Sequence, residues 1–285
     1  MSVRVAFATC REYADLDPDD RLLLAPLAAL GVRAEPAVWN DPAVDWRAFD
    51  AVVLRSTWDY PDAYEAFLAW AASVPRLVNP LPVVRWNTDK RYLRDLEAAG
   101  IPIVPTAFAG PGEDWHVPDD WREVVVKPAT SAGSRDTARY ERSDPRVAVH
   151  VARLQAAGRV AMLQPYHHEI DDVGETGLVY AGGAFSHAFR KGPLLAPGGR
   201  ITDQLFAPEE ISARDPTPDE LAVGARAIAL VTKRFGTPAY ARVDLLPGPV
   251  VIEVELTEPS LYLACGQGSA ERAAAAIGAA IRAAG

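Results

Sequence analysis

An α/β (α+β) fold is predicted by three features of this 285-residue chain. Short apolar runs alternate with helix-like stretches over residues 1–85, the pattern of strands joined by helical crossovers in a small sheet. Residues 239–246 and 249–256 are aliphatic and β-branched runs around Pro247-Gly248, the composition of a β-hairpin. An apolar content of 49% is enough, at this length, to bury the cores of one or two domains.

The totals exclude several classes. A formal charge of −9 and a pI near 5.1 argue against nucleic acid or an anionic membrane as the main partner, although a small anion needs only a local basic pocket. No apolar stretch reaches ~18 residues and the start lacks a signal-peptide core, so a cytoplasmic protein is expected. Cys10 and Cys265 stand in no metal-like spacing and are read as free thiols. Only Lys90, Lys127, Lys191 and Lys233 among the 29 basic residues are lysines, which suggests that Lys is kept where a compact ammonium is wanted.

In chain order, Val3 to Ala8 reads as a strand. Asp17-Pro18-Asp19-Asp20 caps a helix with Leu23, Leu27 and Leu30 as its apolar stripe, and strands follow at 34–39 and 51–54. Ligands of such sheets sit at the carboxyl ends of strands, here Thr9-Cys10-Arg11 and Arg55-Ser56-Thr57-Trp58-Asp59-Tyr60. The second cluster suits a small carboxylate-bearing substrate; the alternative is that Trp58 and Tyr60 pack under the next helix while Arg55 pairs with Asp59. A helix from Asp62 to Ser73 precedes Leu77 to Pro82, which reads as the exit from a first domain near residue 85.

Lys90 falls in the first turn of the next helix, where the dipole disfavours a cation unless a phosphate is near. Glu123 to Pro128 is a strand ending in Lys127, followed by the small-residue loop Ala129 to Ser134, which fits either a phosphate or an exposed lysine beside a flexible loop. A helix at 144–157 and a strand at 160–163 lead to Gln164-Pro165-Tyr166. Adjacent His167-His168 point opposite ways and argue against zinc, and Ser186-His187 adjacency is no catalytic dyad. Strands at 175–180 and 184–190, a turn-rich segment at 192–203, an amphipathic helix at 219–235 with Leu221, Ala225, Ile228, Val231 and Phe235 inward, the hairpin and a helix at 269–284 complete the chain.

A hairpin centred on Pro247-Gly248 sets Asp244 opposite Val251 and Arg242 opposite Glu253, so Arg242, Asp244, Glu253 and Glu255 share one face. Three crowded carboxylates without Cys or His suit Mg²⁺ or Mn²⁺; a solvated polar face is the alternative.

The order of these features resembles the ATP-grasp superfamily, the fold of glutathione synthetase and D-alanine–D-alanine ligase. Within it, Arg55 to Tyr60 and Glu253-Val254-Glu255-Leu256-Thr257-Glu258-Pro259-Ser260 resemble the branch containing O-ureido-D-serine cyclo-ligase, the ring-closing enzyme of D-cycloserine biosynthesis. The resemblance implies an N-terminal substrate-binding domain at 1–85 and an ATP-grasp domain at 86–285, with a lid subdomain at about 105–163 and a mainly antiparallel C-terminal sheet. It implies nucleotide contacts from Lys90, Lys127, Ser134, Gln164, Pro165, Tyr166 and Glu169 or Glu175, and Mg²⁺ on Asp244, Glu253 and Glu255, where many relatives carry Asn in place of Glu255. Arg190, Arg200 and Arg242 would face the transferring phosphoryl group or substrate carboxylate, with Arg11, Arg55, Ser56, Trp58, Tyr60, His187, Thr257 and Ser260 assigned to the substrate.

The activity implied is ATP- and Mg²⁺-dependent phosphorylation of an amino-acid-like carboxylate, then attack on the acyl phosphate by a nitrogen of the same molecule, with loops 129–136 and 192–203 as lids. A two-substrate amino-acid or dipeptide ligase and a non-catalytic nucleotide-binding protein are the rival readings. The expected partner is a small molecule, with no nucleic acid and no membrane, and with a homodimer left open.

Overall fold

Strands β1 (Val3–Thr9), β2 (Val32–Val38), β3 (Ala51–Leu54) and β4 (Leu77–Val78) form a parallel sheet in the order β2-β1-β3-β4. The structure, a computed structural model, describes residues 3–198, 201 and 209–283. Both faces of this sheet are covered, which is why residues 5–9 and 51–54 are buried without alternation. Val5, Phe7 and Val53 meet Leu23, Leu27 and the C-terminal helix Ser269–Ala283, whereas Ala6, Ala8, Val52 and Leu54 meet Trp39 and Phe67. The first and last elements of the chain therefore share a core.

The expected helix after Asp17 is two short ones, Pro18–Arg21 and Leu24–Ala29, and Leu30 is exposed rather than part of the stripe. Residues 77–90 are more than an exit: Leu81–Asn87 is a helix and Lys90 opens a 3₁₀ turn, Lys90–Tyr92, before the helix Leu93–Ala98.

A second, antiparallel sheet has the order β5-β8-β6-β7, from β5 (Ala107–Ala109), β6 (Glu123–Pro128), β7 (Ala138–Glu141) and β8 (Ala161–Pro165). Its apolar face packs on Val147, Val151 and Leu154 of the helix Arg146–Ala156.

The third sheet, β11-β10-β9-β12-β13, is built from β9 (Glu175–Ala181), β10 (Ala184–Lys191), β11 (Ile211–Ala213), β12 (Tyr240–Leu246) and β13 (Val250–Glu255). The helix Pro218–Phe235 packs on it through Val223, Ala227, Ile228 and Val231; Leu221 and Ala225, expected inward, line a groove on its flank instead. Strand β13 is an edge whose outer backbone groups are taken by the backbone of Pro102 and Val104 at Val251 and by side chains further on. Tyr92 Oη donates to the Val254 carbonyl at 2.9 Å and accepts from the Val254 amide at 2.8 Å. Asn87 does the same for the carbonyl of Val254 and the amide of Leu256, so the edge is fixed to residues 87–92. Among the described residues no helix is long and apolar enough to cross a membrane.

Candidate active site

The three sheets enclose one large cleft with about 1330 Å³ of empty space including its mouth. Strand β12 supplies its floor by alternation: Arg242, Asp244 and Leu246 line the cleft while Ala241, Val243 and Leu245 enter the core.

The hairpin register departs from the sequence expectation in a way that preserves the shared face. Leu246 pairs with Val250, leaving a three-residue loop, and a bulge then shifts the pairing so that Asp244 faces Glu253 and Arg242 faces Glu255. One residue added in the loop and one in the bulge shift the register by two, and two is the period of a strand. The bulge also brings Ile252 into the same cleft as Glu253.

The acids share a face but do not converge on one point. Arg242 binds Asp244 at 2.8 Å and also meets Glu255, while Glu253 Oε1 is 3.0 Å from Lys90 Nζ. Among the described residues no three metal-ligating side chains cluster as they stand. Burial pushes Glu253 up, but Lys90 and Lys127 outweigh it and hold its carboxyl below the usual range. Burial, with Glu253 and Asp244 close by, pushes Glu255 up against the opposing Arg242.

Three of the four lysines line the cleft: Lys90, Lys127 and Lys191. Lys90 Nζ also donates to the Ser131 carbonyl at 2.9 Å. Burial lowers Lys127 to about 8. Lys191, which the scarcity of lysine marks but no motif in the sequence places at a site, pairs with Glu209 at 2.7 Å and stands opposite Glu175 across β9 and β10. Burial alone would lower Lys191, but Glu175 and Glu209 outweigh it and raise it. Nothing in the local sequence marked Glu209.

The loop after β6 places Ser131, Gly133, Ser134 and Thr137 on the wall, with Gly133, Ser134 and Asp136 at positive φ. Asp136 is clamped by Arg153 at 2.7 Å and Arg159 at 2.6 Å, and Arg135 reaches Asp62 at 2.9 Å. A short run of this kind can wrap an anion with backbone amides. Opposite, Gln164, Pro165 and Tyr166 border a slot floored by Val104, Ile170, Leu246 and Ile252. Tyr166 is held by Arg139, whose guanidinium lies 3.5 Å over its ring while pairing with Glu123 at 2.8 Å. The slot has the apolar walls and backbone rim that a flat heterocycle needs.

Several residues assigned to ligands lie off this wall. Glu169 is exposed at the start of the turn Ile170–Val173, and Arg190 donates to the Val173 carbonyl at 2.7 Å. Arg11 is exposed and Arg200 lies outside the described residues. Arg55 is 1% exposed and binds Asp20 at 2.7 Å, not Asp59, whose carboxylate accepts from Trp39; Ser56 donates to the same Asp20 at 2.5 Å. Arg55, with Trp58 and Arg242, holds the segment after β13. Arg55 donates to the Pro259 carbonyl at 2.8 Å, Trp58 to that of Glu258 at 3.1 Å and Arg242 to that of Ser260 at 2.9 Å. Thr257 bonds Asn87, His187 Nε2 meets the Leu261 carbonyl at 2.8 Å, and Asp19 accepts from the amides of Leu261 and Leu263. With its backbone so fixed, the segment turns Glu258, Ser260 and Tyr262 into the cleft beside Trp58 and Tyr60.

Comparison with known proteins agrees with this architecture. Residues 5–79 match the family model of the D-cycloserine synthetase DcsG N-terminal domain. The chain is 39% identical over 292 residues to the cycloserine biosynthesis protein DcsG of Streptomyces lavendulae, covering 96% of this chain and 97% of that protein. The crystal structure of D-cycloserine synthetase DcsG superposes with a TM-score of 0.88 at 38% identity, covering 98% of this chain and 99% of that one. D-alanine–D-alanine ligase from Bacillus anthracis complexed with ATP gives a TM-score of 0.63 at 14% identity over 99% of this chain and 98% of that one, a likeness of fold alone.

Proposed function

The chain belongs to the DcsG family of ATP-grasp ligases, and from that premise we propose that it closes a ring in one small substrate, O-ureido-D-serine, with ATP as the phosphoryl donor. A carboxylate does not acylate nitrogen at neutral pH, because oxide is a poor leaving group. In this reading a substrate carboxylate oxygen attacks the γ-phosphorus and ADP leaves; the substrate's own nitrogen then attacks the acyl carbon, loses its proton and expels phosphate. Catalysis is positioning and charge neutralisation.

The observation that carries this reading is that Lys90, Lys127 and Lys191 meet the carboxylate face of the hairpin in a cleft that also holds an apolar slot. The lysines would grip the phosphates with the loop around Ser134, and the slot at Gln164–Tyr166 would take the base. Arg242, beside Ser260, would face the carboxylate that receives phosphate. Glu175 faces Lys191 across β9 and β10, with Asp244, Lys127 and Glu209 as its charged neighbours, and would belong to this charged end.

The donor set fits a divalent cation. Six carboxylates line the described wall (Glu175, Glu209, Asp244, Glu253, Glu255, Glu258) against four cationic side chains, so the wall is short of positive charge before any nucleotide enters. Asp244, Glu253 and Glu255 would hold Mg²⁺ or Mn²⁺ once turned from Arg242 and Lys90, and the ion would offset phosphate charge there. The second sheet and its loop 129–136, within the expected lid subdomain at about 105–163, would serve as the lid over the cleft.

The test is ADP release with O-ureido-D-serine as the sole amino-acid-like substrate, with the cyclic product identified by mass. Turnover only with pairs of amino acids would assign a two-substrate ligase. No ADP with either would leave a nucleotide-binding protein without chemistry.

A further inference from the structure

Most charges of the cleft are closely paired; of its carboxylates, Glu175, which faces Lys191 across β9 and β10, and Glu258, near the first sheet, are in no ion pair among the described residues. Asp244 and Glu255 meet Arg242, Glu253 meets Lys90, and Glu209 meets Lys191. Glu258 lines the same cleft with no ion pair and no hydrogen bond from another residue among the described residues. Lys90, already shared between Glu253 and Ser131, is the cation acting on it most strongly.

Its placement is built. The carbonyls of Glu258, Pro259 and Ser260 accept from Trp58, Arg55 and Arg242, and Asp19 takes the amide of Leu261, so the backbone on both sides of Glu258 is held by side chains of other elements. The wall around it carries Trp58 and Tyr60. An unpaired carboxylate in a partly dry wall is costly until a cation joins it, and a carboxylate flanked by aromatic rings is the chemistry that receives an organic ammonium. A phosphate would be repelled there. A zwitterionic amino acid would set its ammonium on this side and its carboxylate toward Arg242.

We propose that Glu258 is a specificity-determining residue that binds the α-ammonium group of the amino-acid-like substrate. The inference rests on the ring-closing ligase reading and adds to it the group that selects an amino acid over a plain carboxylic acid. Loss of one charge-assisted contact of this type corresponds to about 10- to 100-fold in specificity.

The experiment compares wild type, Glu258→Gln and Glu258→Asp with O-ureido-D-serine and with its deamino analogue, which has hydrogen in place of the α-amino group. Expected for Glu258→Gln is a rise of about 10- to 100-fold in KM for O-ureido-D-serine, with KM for ATP within about two-fold and the deamino analogue's kcat/KM little altered. Glu258→Asp, which keeps the charge, recovers part of the loss. Equal losses on both substrates, or no change in KM, would overturn the assignment, as would a shift in the Mg²⁺ requirement in place of the substrate effect. Failure of the wild type to release ADP with O-ureido-D-serine would instead remove the reading beneath the inference, and the inference with it.

Discussion

Lys90 Nζ stands 3.0 Å from Glu253 Oε1 and 2.9 Å from the Ser131 carbonyl, so one ammonium joins the hairpin to the loop after β6. Glu253→Gln keeps the shape and removes the charge that balances Lys90 and Lys127. ADP release is expected to fall by 100-fold or more, with circular dichroism unchanged. Lys90→Ala also unties the loop, so limited proteolysis within 129–136 should accelerate; equal cleavage rates would show that the tether is not needed.

Arg55 and Asp20 form a pair that is almost fully buried, with side-chain exposures of 1% and 4%. Removing one member leaves the other uncompensated, at a cost of roughly 3–5 kcal/mol for pairs of this kind. Arg55→Ala is therefore expected to lower Tm strongly, before any substrate is added. A variant with wild-type Tm and only a raised KM would return Arg55 to the substrate site.

These two pairs mark where the sequence was legible and where it was not. The polar face of the hairpin could be read because strand periodicity is two and survives a register shift of two; the register itself could not, since nothing in Val250 to Glu255 announces a bulge at Ile252. Arg55 looked like a ligand because it ends a strand, but its partner lies 35 residues upstream and its acceptor 204 downstream, distances over which local pattern carries no signal. Lys191 is marked by the rarity of lysine, but its partner Glu209 lies across the turn-rich segment that follows it, where local pattern gives no pairing.

Gly177 on β9 lies under the ring of Phe189, where an added Cβ would come within 2.1 Å of Cζ. That ring packs against Tyr262 at 4.4 Å and lies 5.8 Å beneath the guanidinium of Arg242. Gly177→Ala must displace Phe189 toward both, and overpacking of this sort costs about 1–3 kcal/mol. Lower Tm and lower kcat are expected, with Gly177→Ala/Phe189→Leu recovering both. A double variant no better than the single would show that the ring does not transmit the effect.

Lys127 supplies the pH test. Burial holds it at about 8, whereas an unfolded lysine titrates near about 10.4. Between these values the unfolded chain binds more protons than the native one, so this residue's contribution makes stability rise with pH across that window. At pH 7 both states are protonated and the buried ammonium is a penalty. Lys127→Met is therefore expected to exceed wild type in Tm at pH 7, the difference shrinking as pH climbs from about 8 to about 10.4; a difference independent of pH would refute the assignment. Phosphate beside Lys127 favours its charged form, so binding of a non-hydrolysable ATP analogue above pH 8 should take up protons, measurable by calorimetry in buffers of different ionisation enthalpy. Lys127→Met should lose that uptake together with most of the affinity, which separates a phosphate ligand from a lysine that is merely buried.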